Sequence, residues 1–325
     1  MKYRKLGKTG LVVSEIGFGA WGIGGTHGDS IAYGATDDKE SLLALQLAYD
    51  LGITFYDTAD FYGFGHSETL IGKALKSVRQ KIVIATKVGL LSKAGDRDFS
   101  PKHILQSIEK SLKRLKTDVI DLYQLHSPSM EELVKNQDLF VILGRLKKEG
   151  KVRAIGLSAR SPQEALQMAQ AFAFQVLQVN FNLVDQRAQV EGLFDFCLKK
   201  DIGMIVRTPL CFGFLSGEYS PGGSYESGDH RGLWPLEQRK KWHEAVHLFL
   251  KAVGNGNDQT KTQLALRFCL SPRAVSTVIP GMLNRQQVQE NVRASDFGRL
   301  KASENKKIEE IYRQNCFFVE RCVQE

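Results

Sequence analysis

The chain has 325 residues, 42% of them hydrophobic and 25% charged, the balance of a globular protein able to bury a sizeable core. No apolar run approaches the roughly 18–20 uncharged residues of a membrane span, and the start, Met1-Lys-Tyr-Arg-Lys, has no apolar stretch of a secretory signal. The formal charge of +8 is mixed with acids along the whole chain instead of forming a basic block, which points away from nucleic acid and towards an anionic small molecule. Five cysteines (Cys197, Cys211, Cys269, Cys316, Cys322) are scattered without CxxC spacing, so neither a disulfide framework nor a metal site is expected, and a reducing cytoplasm is the expected compartment.

In chain order, residues 3–13 read as a β-hairpin around the turn Gly7-Lys8-Thr9-Gly10, placed to plug the floor of whatever follows. Short β-branched or aromatic runs then recur at 14–20, 53–59, 82–87, 119–126, 152–158, 176–181, 203–209 and 276–280. Amphipathic stretches at 38–51, 68–76, 101–115, 131–148, 162–171, 186–200, 260–270 and 285–294 separate or follow them. Ser100 before Pro101 and Ser161 before Pro162 predict capped helix starts, and Gly52 and Gly150 fall where left-handed helix ends belong.

Eight strand–helix units predict one α/β domain over 1–325, a (β/α)8 TIM barrel with an N-terminal β-hairpin and additional C-terminal helices. An open doubly wound sheet is the rival, but the first strand ends in Gly17-Phe-Gly-Ala-Trp-Gly, which is not the GxGxxG of a dinucleotide turn. Residues 211–252 form a long insertion after the seventh strand, Gly-rich first and helical from about Pro235; 302–323 predicts an extra outer helix.

Active sites of such barrels sit at the C-terminal ends of the strands. The second strand ends in Asp57 with Tyr62 five residues on, the third in Lys87, the fourth in His126. A free tyrosine, with a pKa near about 10, is a poor acid at neutral pH, and a neighbouring lysine favours its phenolate. Asp57 would offset the cost of burying Lys87, and His126 could donate a hydrogen bond to a reacting carbonyl oxygen. The set has no nucleophile and no metal ligands, and it protonates an oxygen, so hydride has to come from a nicotinamide cofactor. Each residue alone also fits a structural role: Lys87 with Asp57 as an ion pair, His126 as a satisfied core histidine, Tyr62 as loop packing. Their joint appearance at adjacent strand ends is the signal.

At these residues the sequence resembles the aldo-keto reductases, over essentially the whole chain. Phe55-Tyr-Asp-Thr-Ala-Asp-Phe-Tyr-Gly63, followed by Ser67-Glu68 and Leu70-Ile-Gly72, is similar to the family's first signature. Ile84-Ala-Thr-Lys87 and Asp121-Leu-Tyr-Gln-Leu-His126 resemble its lysine and histidine strands. The resemblance implies Tyr62 as general acid, Lys87 and Asp57 assisting it, and His126 orienting the carbonyl. The long Gly-rich loop after the seventh strand resembles that of bacterial-type members and potassium-channel β subunits.

The resemblance also implies cofactor contacts. Gly156-Leu-Ser158 and Gln178 are similar to the pair that holds the nicotinamide carboxamide, with Ala159 where Asn often stands. The segment Arg207-Thr208-Pro209-Leu210-Cys-Phe212-Gly213 to Gly217 resembles the loop over the pyrophosphate, with Arg207 where many members stack an aromatic ring. A guanidinium can stack too, although a cation beside an oxidised nicotinamide is less comfortable; Arg207 could alternatively reach a substrate oxygen. Arg231 resembles an arginine of the mobile loop that closes over the cofactor, and Gly281, Gln287, Glu290 and Asn291 resemble the adenosine side. Gly19 and Trp21, at the first strand, and Asp57 are also expected at the cofactor, and Trp21, Phe61 and Trp234 are the candidate substrate-pocket residues.

The expected cofactor is NADPH rather than NADH: Leu283 stands where a basic or hydroxyl residue often meets the 2′-phosphate, but Arg285 is near and the net charge is positive. The expected partner is a small-molecule carbonyl substrate, with no nucleic acid and no membrane, and no apolar exterior patch marks an oligomer interface. The leading expectation is an NADPH-dependent reductase of aldehydes and ketones; the alternative is a nucleotide-sensing subunit with incidental turnover. A lyase with Lys87 as Schiff base conflicts with the charge that Asp57 would hold on it.

Overall fold

The structure, a computed structural model, describes residues 1–27, 30–254 and 259–319. Two strands, β1 (Tyr3–Lys5) and β2 (Val12–Ser14), pair antiparallel with Arg4 opposite Val13. The other eight are β3 (Phe18–Gly19), β4 (Phe55–Asp57), β5 (Val83–Val88), β6 (Ile120–His126), β7 (Val152–Ser158), β8 (Val176–Asn180), β9 (Gly203–Arg207) and β10 (Val275–Val278). They run parallel in sequence order, and the sheet curls until β10 meets the β3 segment through the bridges Ile16–Val278 and Gly19–Gly281. The expected (β/α)8 barrel with its hairpin is present. Gly19 serves this closure directly: a Cβ there would lie 2.8 Å from the Ile279 carbonyl oxygen.

The strands carry continuous apolar runs because both faces are covered; every residue of β5 and β6 is buried. Their outer faces pack under the helices α1 (Asp38–Asp50), α2 (His66–Ala74), α3 (Pro101–Leu115), α4 (Met130–Lys135), α5 (Asp138–Lys148) and α6 (Pro162–Ala171). The ring continues with α7 (Arg187–Val190), α8 (Leu193–Lys200), α9 (Leu236–Val253), α10 (Lys261–Leu270), α11 (Arg285–Phe297) and α12 (Ala302–Gln314). Ser100 and Ser161 cap α3 and α6 with proline at the helix start, accepting from the backbone N–H of His103 and Glu164. The hairpin closes the floor: Leu6, Leu11 and Val13 form one buried cluster with Phe55, Val83, Ala85, Leu122, Ala154, Val176 and Ile205 from the barrel interior. Burying each such side chain contributes about 1.5–3 kcal/mol, which anchors an otherwise marginal two-stranded ribbon.

The sequence boundaries shift at identifiable places. The stretch 131–148 divides into α4 and α5 at Asn136 (φ −111°, ψ 47°), and 186–200 divides into α7 and α8 at the left-handed Gly192 (φ 79°). The first barrel strand shrinks to Phe18–Gly19 because Ser14 is the last rung of the hairpin. The last helix ends at Gln314, where Asn315 is extended and Phe317 turns back to pack on Phe249 and Tyr312; the remainder expected up to 323, with Cys322, lies outside the described residues. Among the described residues no helix is long and apolar enough to cross a membrane.

Candidate active site

The sheet register delivers one or two polar side chains from each of β4 to β9 to the mouth of the barrel. Asp57 lies beside Ala85, Lys87 beside Gln124, His126 beside Ser158, and Ser158 beside Gln178. Arg207 closes β9 beside Asn180. Tyr62 comes from the turn after β4, and its neighbours explain why the turn holds. Gly63 has a φ of 59°, and a Cβ on it would sit 2.2 Å from the Gly24 carbonyl oxygen, so only glycine lets this turn dock on the loop after β3. The Ser67 hydroxyl donates to the Ala20 carbonyl (2.8 Å) and receives from Thr58 (2.9 Å). Buried Glu68 accepts from Thr86 and from Arg114 Nε, each at 2.6 Å. Ser67 and Glu68 of the signature are therefore clamps on the Tyr62 turn.

The structure brings Asp57, Tyr62, Lys87 and His126 together. Lys87 Nζ, fully buried, donates to Asp57 Oδ1 (2.5 Å), to the Thr58 carbonyl (2.8 Å) and to Tyr62 Oη (3.1 Å). Burial opposes its charge, but Asp57, and next the Tyr62 oxygen, outweigh burial and hold the ammonium above the ordinary lysine value. The second oxygen of Asp57 accepts from Gln178 Nε2 (2.7 Å) and Gln124 Nε2 (3.2 Å), and Ser158 Oγ donates to Gln178 Oε1 (3.1 Å). One chain of hydrogen bonds thus runs from Ser158 through Gln178, Asp57 and Lys87 to Tyr62. His126 stands edge-on to Tyr62, ring centroids 5.9 Å apart, with Nδ1 buried and lacking a protein partner. Burial, then Lys87, Arg207 and Arg97, pushes its imidazole well below the usual histidine range, so the ring is neutral and offers one N–H.

These groups open into a cleft of about 430 Å³ that runs outward across the barrel mouth. Of the residues singled out in the sequence, Gly19, Trp21, Phe61, Arg207, Thr208, Pro209, Leu210, Phe212, Gly213, Arg231, Gly281, Gln287, Glu290 and Asn291 line it. Among the described residues seven non-glycine residues have positive φ, and five of them (Phe64, Ser127, Thr208, Cys211, Phe212) lie in the loops after β4, β6 and β9. Backbone strain is thus concentrated at the mouth, where strained conformations tend to serve sites. Thr208 is held there by its own bond to Asn180 (3.0 Å) and by Asn182 donating to its carbonyl (2.9 Å).

Four sequence-predicted residues lie off the cleft wall. Lys87 and Ser158 are buried one layer behind it, and Gly217 sits against the end of the Lys261 side chain. Trp234 is displaced most: it packs on Trp242 (4.9 Å) and Phe212 (5.6 Å), because the aromatic cluster of the insertion offers its ring more contact than the open cleft. Arg231 is not loose either. Asp229 grips it (2.6 Å at the closest approach) and Tyr33, Tyr219 and Tyr225 surround its guanidinium. Arg285 is engaged by Glu40 at 3.1 and 3.2 Å. Sequence reasoning missed Gln124, although it shares the inward parity of Leu122 and His126. It also missed Tyr33 and Tyr219, which reach the cleft only because bridges join Ala32 and Tyr33 to Asp229.

Comparison with known proteins agrees with this geometry. The model of the Aldo/keto reductase family matches residues 15–313. The chain is 32% identical over 312 residues to an aldo-keto reductase of Schizosaccharomyces pombe, yakc, whose name carries NADP(+), covering 92% of this chain and 86% of that protein. It is 30% identical over 317 residues to the NADH-specific methylglyoxal reductase of Escherichia coli, covering 90% and 93%. Among solved structures, the holo form of aldo-keto reductase AKR11C1 from Bacillus halodurans superposes with a TM-score of 0.79 at 30% identity, covering 99% of each chain. The chain therefore belongs to the aldo/keto reductase family, an NAD(P)H-dependent oxidoreductase of carbonyl compounds.

Proposed function

We propose that this protein reduces an aldehyde or ketone to the alcohol with Tyr62 as the general acid and NADPH, rather than NADH, as its cofactor. The observation that carries the reading is the 3.1 Å contact of Lys87 with the Tyr62 oxygen, made by an ammonium that Asp57 keeps charged. Tyr62 gives its proton to the carbonyl oxygen as charge develops there. Lys87 stabilises the phenolate left behind, and neutral His126 donates a hydrogen bond that orients the same oxygen. When bound, the reduced nicotinamide supplies the hydride for the carbonyl carbon. A lysine held charged in this way is a poor amine nucleophile, which removes the Schiff-base reading.

The donor set fits such a cofactor. Ser158 and Gln178 carry the donors and acceptors a carboxamide needs: Gln178 lies at the inner end of the cleft, with Ser158 hydrogen-bonded to it one layer behind. The left-handed turns at Thr208, Cys211, Phe212 and Gly213 bring successive backbone groups together in the concave form that suits a pyrophosphate. Gln287, Glu290 and Asn291 on α11 are assigned to the adenosine, with exposed Arg285 one helical turn away for a 2′-phosphate. That assignment, with the net positive charge, supports NADPH.

The test is Tyr62→Phe, assayed with NADPH and NADH against aldehydes, quinones and keto-sugars, with cofactor binding followed by fluorescence. Turnover should fall by roughly 10²–10⁴ while cofactor affinity stays within about twofold. Equal loss of both would make Tyr62 structural. Tight NADPH binding with no tyrosine-dependent turnover on any substrate would favour a sensing subunit.

A further inference from the structure

The charges at the inner end of the cleft do not cancel. Lys87 and Asp57 form one neutral pair, and His126 is uncharged. Arg207 adds a whole positive charge, which arginine keeps even when buried. Its Nη2 donates to the Ala159 carbonyl (3.0 Å), a neutral partner, while its Nε is buried with no hydrogen-bond partner. The carboxylates whose field it feels are committed elsewhere. Asp57 binds Lys87, Gln124 and Gln178, and Asp185 is held in a two-point pair by Arg187 at 2.8 and 2.7 Å. A guanidinium tethered by a carbonyl oxygen, without a counter-ion of its own among the described residues, thus forms part of the floor of the cleft with Tyr62, His126 and Gln178.

The reduced and oxidised nicotinamide rings differ by one positive charge and little else in shape. A ring that reaches a carbonyl held by Tyr62 and His126 shares that floor with Arg207. A fixed cation beside the ring disfavours the cationic form and leaves the neutral one untouched. We propose that Arg207 is the residue by which this protein selects the reduced over the oxidised nicotinamide cofactor. The proposal rests on the cleft being a nicotinamide site, as argued above, and adds to it a discrimination that the ring-holding pair Ser158 and Gln178 cannot supply, because neither is charged. Its functional consequence is direction: the oxidised form is held weakly and leaves, which favours reduction of carbonyls over oxidation of alcohols.

The test is equilibrium binding of NADPH and NADP⁺, by calorimetry, to the wild-type chain, Arg207→Gln and Arg207→Lys. The wild type should prefer NADPH by a factor on the order of 10–100. Arg207→Gln should lose most of that factor, chiefly by binding NADP⁺ more tightly, whereas Arg207→Lys, which keeps the charge without the planar fork, should retain a clear preference. Arg207 is half-buried, so added salt should shrink the ratio only in part. Equal weakening of both forms in Arg207→Gln would make Arg207 an ordinary contact, and a wild-type ratio near one would also overturn the proposal. Failure of the folded wild-type chain to bind either form would overturn the nicotinamide reading itself, and this inference with it.

Discussion

The lower and upper halves of the barrel interior are built from the same strands two to four residues apart, and their chemistry is opposite. Below lie Phe55, Ala85, Leu122, Ala154, Val176 and Ile205, sealed by Leu6, Leu11 and Val13 of the hairpin. Above them, on the same inward-facing parity, come Asp57, Lys87, Gln124, Ser158, Gln178 and Arg207. A parallel strand turns every second side chain inward, so one strand can give its early residues to stability and its last to chemistry. The lower layer gains from burial alone. The upper layer is largely buried too, and it is tolerable because most of its polar atoms have partners, Gln124 Oε1 and Arg207 Nε being without one among the described residues.

The largest effect comes from breaking that partnership. Lys87→Met leaves the Asp57 carboxylate buried without its ammonium and should cost about 3–5 kcal/mol of stability in urea denaturation. The double variant Asp57→Asn, Lys87→Met removes both charges and keeps an acceptor for Gln178, which donates to Asp57 at 2.7 Å. It should regain most of that stability and none of the turnover. A double variant as unstable as the single one would mean that the upper layer depends on its charges for packing as well as for chemistry.

A smaller effect concerns the proton the upper layer refuses. Burial and three cations hold the His126 imidazole well below the usual range. In the unfolded chain it regains an ordinary pKa near about 6.5, so below that pH the unfolded state takes up a proton that the folded state does not. Stability should therefore fall as pH drops through this window, by at most about tenfold in the folding equilibrium per pH unit. Denaturation at pH 7.5 and 5.5 should show a shallower loss for His126→Gln than for the wild type. Identical losses would mean that His126 accepts a proton in the folded state after all.

The two layers were unequally legible. Short β-branched or aromatic runs gave the strands, the turn Gly7-Lys8-Thr9-Gly10 gave the hairpin at the floor, and the polar residue at each strand's end gave Asp57, Lys87 and His126, because all are local patterns. Gln124 was hidden by the same logic, since a glutamine between Tyr123 and Leu125 looks like a lapse in an apolar run until its parity is followed from Leu122. The setting of Arg231 was not readable at all. Its ring of Tyr33, Tyr219 and Tyr225 depends on a loop after β3 meeting a loop after β9, nearly two hundred residues away, through the bridges to Asp229. Trp234 misled because an aromatic residue in a loop carries no direction, and here the neighbouring rings decide it.

The smallest effect lies at the outer edge of the upper layer, where water dilutes every charge. Arg285 is assigned to the 2′-phosphate, yet Glu40 on α1 receives its guanidinium and its backbone N–H (3.0 Å). A 2′-phosphate would have to displace Glu40 from Arg285, or share it, and the carboxylate would repel the phosphate meanwhile. Glu40→Gln removes that competitor and keeps the side chain's length. Because the pair is exposed, the gain should be small: NADPH affinity should rise on the order of two- to fivefold, NADH affinity should not change, and added salt should shrink the difference. Arg285→Ala should move NADPH affinity the other way by a similar factor. If both cofactors respond equally to either substitution, Arg285 does not meet the 2′-phosphate, and the preference for NADPH has to come from elsewhere on the cleft. The contrast with Lys87 is the point: the same kind of ion pair that is indispensable at the closed end of the barrel is exchangeable at its rim, because exposure, not charge, sets what a pair contributes.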